Sequence, residues 1–366
     1  MRERLVAVDG LRGLAILMVT LYHLWGAAGA PGPPCLRPWL LFGSAGVGLF
    51  FALSGFCLYY PLARATLAGR PWPTWSNFAQ RRALRILPAY WVALLVFVPI
   101  WLARPIIGEA PREWWPDLLA TLTFTQPWLA TGAPINGVLW SLCVEVQFYL
   151  ALPLLAWVCR RSPWGFLLGA VLLSNAVQFA CWHPNTPGSP HGPWLMFLPA
   201  RVSDFAFGMV AAHLLAGERP RGVAWAAVFG IGWLAAGPGL RLVLYPNPGA
   251  YPWWLDVLSG PCWFCLLLAG VTYAPPVLRG QPLVGLGVIS YSLYLYQMLM
   301  FWLPGVLYPG LAKNSLPWWV LTASLMLGIG VLGYNAIERP VLAWRERLRQ
   351  PALARLSAPI ASQSAT

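Results

Sequence analysis

The chain has 366 residues, 58% of them hydrophobic and only 10% charged, and its mean hydropathy is +0.61. Soluble domains carry about a quarter charged residues, so this composition excludes a soluble globular chain. The formal charge of +13 does not indicate nucleic acid as a partner, because the basic residues sit in short segments between apolar runs and form no solvated basic face.

Apolar runs near 20 residues recur from end to end, which predicts an all-α fold: a polytopic membrane helical bundle. About ten transmembrane helices are expected, over 11–30, 40–60, 84–104, 138–158, 164–182, 202–217, 222–237, 254–273, 284–303 and 318–338. A weaker apolar piece near 117–130 reads as interfacial or re-entrant. The first run, with Arg2, Arg4 and Ala27-Ala28-Gly29-Ala30, has the outline of a signal peptide. Cleavage there would discard Arg12 and His23, so it is read as a retained first helix. With the N-terminus inside, the inner loops collect Arg64, Arg70, Arg81, Arg82, Arg85, Arg160, Arg161, Arg219, Arg221 and Arg279. The outer loops hold only Arg37, Arg104, Arg112, Arg201, Arg241 and Lys313. That asymmetry predicts both termini cytoplasmic.

The outer loops 105–137 and 183–201 are rich in Pro, Gly, Trp and Thr and read as substrate-facing or capping segments. Residues 1–340 form the expected integral-membrane domain. Residues 341–366 form a basic cytoplasmic tail expected to lie against the lipid of the inner leaflet. The seven cysteines are scattered and give no disulfide framework. Cys262-x-x-Cys265 lacks a second pair, so it reads as packing and no metal site is expected.

Chemistry-bearing residues fall in five stretches. Asp9-Gly10-Leu11-Arg12-Gly13 opens the first helix, which carries His23 eleven positions beyond Arg12. Eleven steps of about 100° return to within about 20° of the starting azimuth, and the rise is about 16 Å. Arg12 and His23 thus share a face, one near the surface and one deep, where lipid cannot solvate a titratable group. Gly46-Val47-Gly48-Leu49-Phe50-Phe51-Ala52-Leu53-Ser54-Gly55-Phe56 sets small residues at helix-packing intervals. Arg81-Arg82-Ala83-Leu84-Arg85 places guanidinium forks, which suit phosphates, at the inner mouth of the third span. Trp140-Ser141-Leu142-Cys143-Val144-Glu145 carries a carboxylate about seven residues from the outer end of its span, the depth also reached by His23. A carboxylate beside an imidazole would orient it as a general base. Ser290-Tyr291-Ser292-Leu293-Tyr294-Leu295-Tyr296-Gln297 brings Gln297 to the same layer, so three spans are expected to converge on one site.

Taken together, these motifs resemble those of the acyltransferase-3 family of integral-membrane acyltransferases, as do the closing Glu338-Arg339-Pro340 and the spacing of Arg201, Phe205 and Gly208. The resemblance runs from about Asp9 to Pro340. It implies transfer of an acyl group, acetyl by default, from cytoplasmic acyl-CoA to a hydroxyl of a carbohydrate or cell-envelope glycan, at the bacterial inner membrane. Acyl-CoA is then a donor substrate, and no permanently bound cofactor is implied. His23 matches the catalytic histidine and Glu145 the acidic residue of the fourth-span motif. Arg12, Arg82 and Arg85 match the donor-binding arginines. Ser54, Trp140, Ser141, Tyr291, Tyr294 and Gln297 are candidates for the acceptor site or its surroundings. Family members commonly place histidine where this chain has Gln297, and glutamine cannot take up a proton.

On this reading the donor's phosphates rest on the inner arginines and its arm reaches inward along the face of Arg12. His23 then deprotonates an acceptor hydroxyl arriving from outside. An acyl group parked on His23 or a nearby residue is the alternative route. Two other functions stay open: acylation of a cytoplasmic small molecule such as an antibiotic or glycoside, and a multi-span transporter or flippase without transferase activity. The latter predicts inverted repeats with broken helices at matching places, and the sequence shows neither.

Overall fold

In lipid every backbone polar group must find a partner within the protein, and helices achieve this locally. The computed structural model describes residues 2–33, 35–103, 114–129, 134–181, 196–217, 222–244, 254–345 and 347. Among these 85% are helical and none is in a strand. In chain order the helices are α1 (Arg2–Ala27), α2 (Arg37–Phe42), α3 (Gly46–Leu67), α4 (Trp75–Leu102), α5 (Trp114–Leu122), α6 (Gln126–Leu129), α7 (Trp140–Arg161) and α8 (Pro163–Cys181). They continue with α9 (Leu198–Ala216), α10 (Val223–Leu244), α11 (Trp254–Tyr273), α12 (Pro276–Arg279), α13 (Gln281–Val288), α14 (Ser290–Tyr296), α15 (Leu303–Leu307) and α16 (Leu316–Gly333).

Each of the ten expected spans has a helical counterpart. Among the described residues six stretches are long and apolar enough to cross a membrane: Val6–Ala27, Arg37–Leu67, Trp75–Leu102, Trp140–Arg161, Pro163–Cys181 and Leu316–Arg345. A seventh is a broken span, Gln281–Val288 followed by Ser290–Phe301, bent by 61°. The expected count of ten therefore rests on α9, α10 and α11. In α10 and α11 the apolar stretches are shorter, Val223–Gly239 and Ser259–Tyr273. Helix α9 is not among those stretches; it is buried on nearly all sides, from Ala200 through Ala212, against neighbouring helices.

The piece expected near 117–130 forms the short α5 and α6. Tyr90 of α4 donates to the Thr121 carbonyl at 2.7 Å, and Cys143 of α7 donates to Gln126 Oε1 at 2.7 Å. At nine residues α5 is about 14 Å long, too short to cross. The helix from Leu316 runs through a π-turn at Tyr334–Glu338 to Arg345, past the expected boundary at 340. From 348 onward the basic tail lies outside the described residues, as do 105–113 and 130–133 of the first outer loop and 183–195 of the second.

Close backbone approach explains the motif glycines. A Cβ on Gly10 would overlap the Leu278 carbonyl, one on Gly13 the Leu283 carbonyl, and one on Gly287 the Asp9 carbonyl. Helix α1 thus lies backbone to backbone against α12 and α13, and Arg12 projects from between the two glycines. Helices α3 and α9 pack the same way: a Cβ on Gly208 would strike the Ala52 carbonyl and one on Gly55 the Phe205 carbonyl. Such contacts between small residues are the main adhesive of membrane helices. Gly208→Ala is therefore expected to destabilise the protein by at least the usual overpacking cost of about 1–3 kcal/mol. Gly285→Ala, where a Cβ meets nothing within 4 Å, should be tolerated. Thermal denaturation of the detergent-solubilised variants checks this, and equal midpoints would refute the packing role.

Candidate active site

The arginines come together first. A cavity holding about 810 Å³ of empty space, counting its open mouth, is lined by Arg12, Arg82, Arg85, Ser54, Cys57, Ser141, Glu145, Tyr149, Ser290, Tyr291 and Tyr294, with Val47, Phe50, Phe51 and other apolar residues between them. Arg12 comes from α1, Arg82 and Arg85 from successive turns of α4, and Glu145 and Tyr149 from successive turns of α7. The i, i+3 and i, i+4 spacings put each pair on one helix face.

The charges on this wall do not balance. Arg12 is paired, its Nη1 with Asp9 Oδ1 at 3.2 Å, and its Nη2 donates to Cys57 Sγ at 3.7 Å. Arg82 lies 5.9 Å from the Phe78 ring and 6.0 Å from the Tyr149 ring, and its Nε is buried without a hydrogen-bond partner. Among the described residues neither Arg82 nor Arg85 has an ion pair. With Arg12 neutralised by Asp9, the two guanidiniums without an ion pair, Arg82 and Arg85, share the cavity with one carboxylate, Glu145, which accepts from Ser54 Oγ at 2.8 Å and from Tyr149 OH at 2.5 Å. A recess of this kind suits a ligand with several negative charges.

Glu145 is consequently not the partner of His23, and the expected imidazole–carboxylate pair is corrected. Depth along a span says nothing of direction across the bundle. Helix α7 packs on α9, α8 and α3, whereas α1 packs chiefly on α13, α3, α11 and α12. Glu145 is turned into the arginine cavity instead.

His23 meets Gln297, whose Oε1 lies 3.2 Å from Nδ1. Gln297 is fully buried, and its Nε2 donates to the Tyr294 carbonyl at 3.2 Å. The ring is flanked edge-on by Tyr22 at 5.0 Å and Phe301 at 6.4 Å. His23 does not line the arginine cavity. Tyr294 connects the two places: its phenol is part of the cavity wall, bonded to Ser141 Oγ at 2.6 Å and to the Val138 carbonyl at 3.1 Å. Its backbone carbonyl holds the amide of Gln297. Of the other candidates, Ser54 and Tyr291 line the cavity, and Tyr291 OH donates to the Ile86 carbonyl beside Arg85 at 2.9 Å. Trp140 lies outside it, under the Arg201 guanidinium at 5.6 Å and edge-on to Phe51 at 6.2 Å.

Four contributors were absent from the sequence-based site. Tyr149 and Asp9 are legible in hindsight, four residues after Glu145 and three before Arg12. Cys57 carries no signal of its own. Glu338, buried near the end of the last helix, accepts from the backbone N–H of Ser292 at 3.0 Å and from its hydroxyl. The break at Ile289 frees N–H groups at the start of α14, and Glu338 satisfies one of them from another helix.

Comparison with known proteins gives the family. The chain matches the acyltransferase-3 family, described as an acyltransferase domain, over residues 5–334. It is 27% identical to a protein of Komagataeibacter xylinus named as the membrane-bound transacylase BcsY, over 93% of this chain and 83% of that one. It is also 27% identical to nodulation protein 10 of Rhizobium leguminosarum bv. viciae, over 93% and 94% of the two chains. With the acyltransferase MdmB of Streptomyces mycarofaciens it shares 31% identity over 58% of each chain. No solved structure matches the chain significantly. With six membrane-length helical stretches among the described residues and a family match that spans both the arginine cavity and His23, the chain belongs to the acyltransferase-3 family and is an integral-membrane acyltransferase.

Proposed function

We propose that the protein moves an acyl group, acetyl by default, from cytoplasmic acyl-CoA to a hydroxyl of a carbohydrate, in an exported or cell-envelope glycan, at the bacterial inner membrane. The observation that carries this reading is the cavity in which Arg82 and Arg85 have no ion pair among the described residues. Coenzyme A brings several phosphates on one end of a long, thin arm, and guanidinium forks bind phosphate oxygens two at a time. With the arginine-rich loops and both termini on the cytoplasmic side, the cavity faces the compartment that supplies the donor.

With its phosphates on Arg12, Arg82 and Arg85, the donor directs its thioester past Tyr294 and Phe50 toward His23. The unprotonated ring nitrogen accepts the proton of the acceptor hydroxyl while its oxygen attacks the thioester carbonyl. Collapse of the tetrahedral intermediate breaks the carbon–sulfur bond, and the leaving thiolate recovers the proton from the imidazolium. The products are an ester and free coenzyme A. Glu145 acts on the donor side, as a fixed negative charge among the arginines. Ser54 and Tyr149 hold it there.

The test is turnover of labelled acetyl-CoA by the full chain in lipid nanodiscs, with envelope glycans or defined glycosides as acceptors. Acceptor-dependent release of coenzyme A with label in the glycan is expected. Acyl-CoA left intact under every condition, with labelled solute crossing proteoliposomes instead, would overturn the reading in favour of transport. Transfer to small cytoplasmic glycosides alone would move the acceptor to the inner side.

A further inference from the structure

The amide that faces His23 has a fixed direction. Gln297 donates from Nε2 to the Tyr294 carbonyl at 3.2 Å, so its other end, the oxygen, is the atom 3.2 Å from His23 Nδ1. Rotating the amide by half a turn would set its oxygen against the Tyr294 carbonyl, two acceptors facing each other in a buried place. The carbonyl cannot easily move away. Its residue is anchored through the phenol to Ser141 and Val138, and Asn136 Nδ2 donates to the next carbonyl, that of Leu295, at 2.9 Å. At the other end of α14, Glu338 holds Ser292. The segment from Ser292 to Gln297 is thus tied down along its length, and Gln297 itself is fully buried.

An amide oxygen only accepts. The nitrogen it meets must therefore carry the proton, and in a neutral imidazole the other nitrogen is then the lone pair. From this geometry we infer that Gln297 is a positioning residue: it holds His23 as the single neutral tautomer protonated on Nδ1, leaving Nε2 as the base. This deepens the proposed function and rests on its reading of His23 as the base. The task at 297 is to accept one hydrogen bond, which needs neither a charge nor a titratable group. Glu145, turned into the arginine cavity, is not needed for it.

The experiment has two readouts on the full chain in nanodiscs. Nitrogen NMR of protein labelled at histidine, with His23 assigned by difference against His23→Ala, reports which ring nitrogen carries the proton at about pH 9, above the reference imidazole range. Protonation on Nδ1 is expected in the wild type and a mixed or reversed tautomer in Gln297→Leu. A wild-type ring protonated on Nε2 overturns the proposal whatever the activity. In kinetics, Gln297→Leu should lower kcat about 5- to 150-fold with both KM values little changed. Gln297→Glu, whose carboxyl is kept neutral by burial and so can still donate to the Tyr294 carbonyl while accepting from His23, should recover most of the loss. A Gln297→Leu protein that turns over at the full rate while His23→Ala is inactive overturns the positioning role alone. An active His23→Ala protein overturns the base assignment on which it rests.

Discussion

Replacing His23 by alanine is expected to cut acyl transfer by about two to four orders of magnitude, the usual loss on removing a general base. The size of the effect follows from the acceptor. A neutral hydroxyl is a poor nucleophile, and the described surroundings offer no substitute base. The amide of Gln297 cannot take a proton, and Glu145 is held by Ser54 and Tyr149 among the arginines. Donor binding should survive, because His23 is not part of the arginine cavity. Single-turnover transfer measured beside coenzyme A binding separates the two effects. A His23→Ala protein that transfers at the wild-type rate would end the proposed mechanism.

The arginines should behave in the opposite way. If Arg82 and Arg85 hold donor phosphates, Arg85→Ala or Arg82→Ala removes hydrogen bonds to charged groups worth about 1.5–3 kcal/mol each. Donor affinity should fall about 10- to 150-fold, while the KM for the acceptor stays near its original value. Lysine should recover only part of the loss, because an ammonium lacks the planar fork. Titration calorimetry with coenzyme A gives the affinities directly. Unchanged donor affinity in both alanine variants would leave these arginines as topology signals alone.

Much of the fold was legible because membrane helices declare themselves by length and apolarity, and each expected span has its helix. The sequence could not show that α9 is wrapped by other helices or that the chain bends by 61° between Val288 and Ser290. Both depend on neighbours that a linear pattern does not contain. The site divides in the same way. Arg82 and Arg85 were legible as an anion site because guanidinium forks suit phosphates, Arg12 joined them through the family resemblance, and Ser54, Ser141, Tyr291 and Tyr294 do line their cavity. The layer argument paired His23 with Gln297 correctly and with Glu145 wrongly, since equal depth does not make two helices adjacent. Glu338 was read only as part of the closing motif, because its partner is a backbone N–H exposed by a helix break, and no side-chain pattern announces that.

The uneven charge of the cavity has a consequence for the lifetime of the protein. Folding brings Arg82 and Arg85, neither with an ion pair among the described residues, into one recess and leaves Arg82 Nε buried without a hydrogen-bond partner. Unfolding relieves that tension, and so does an anion seated among the arginines. Any ligand bound only by the folded form adds stability by mass action, about 2.7 kcal/mol at a hundredfold excess over its Kd. A donor that fills the recess would then guard the fold as well as feed the reaction, and a cell starved of it would hold this protein in its most fragile form.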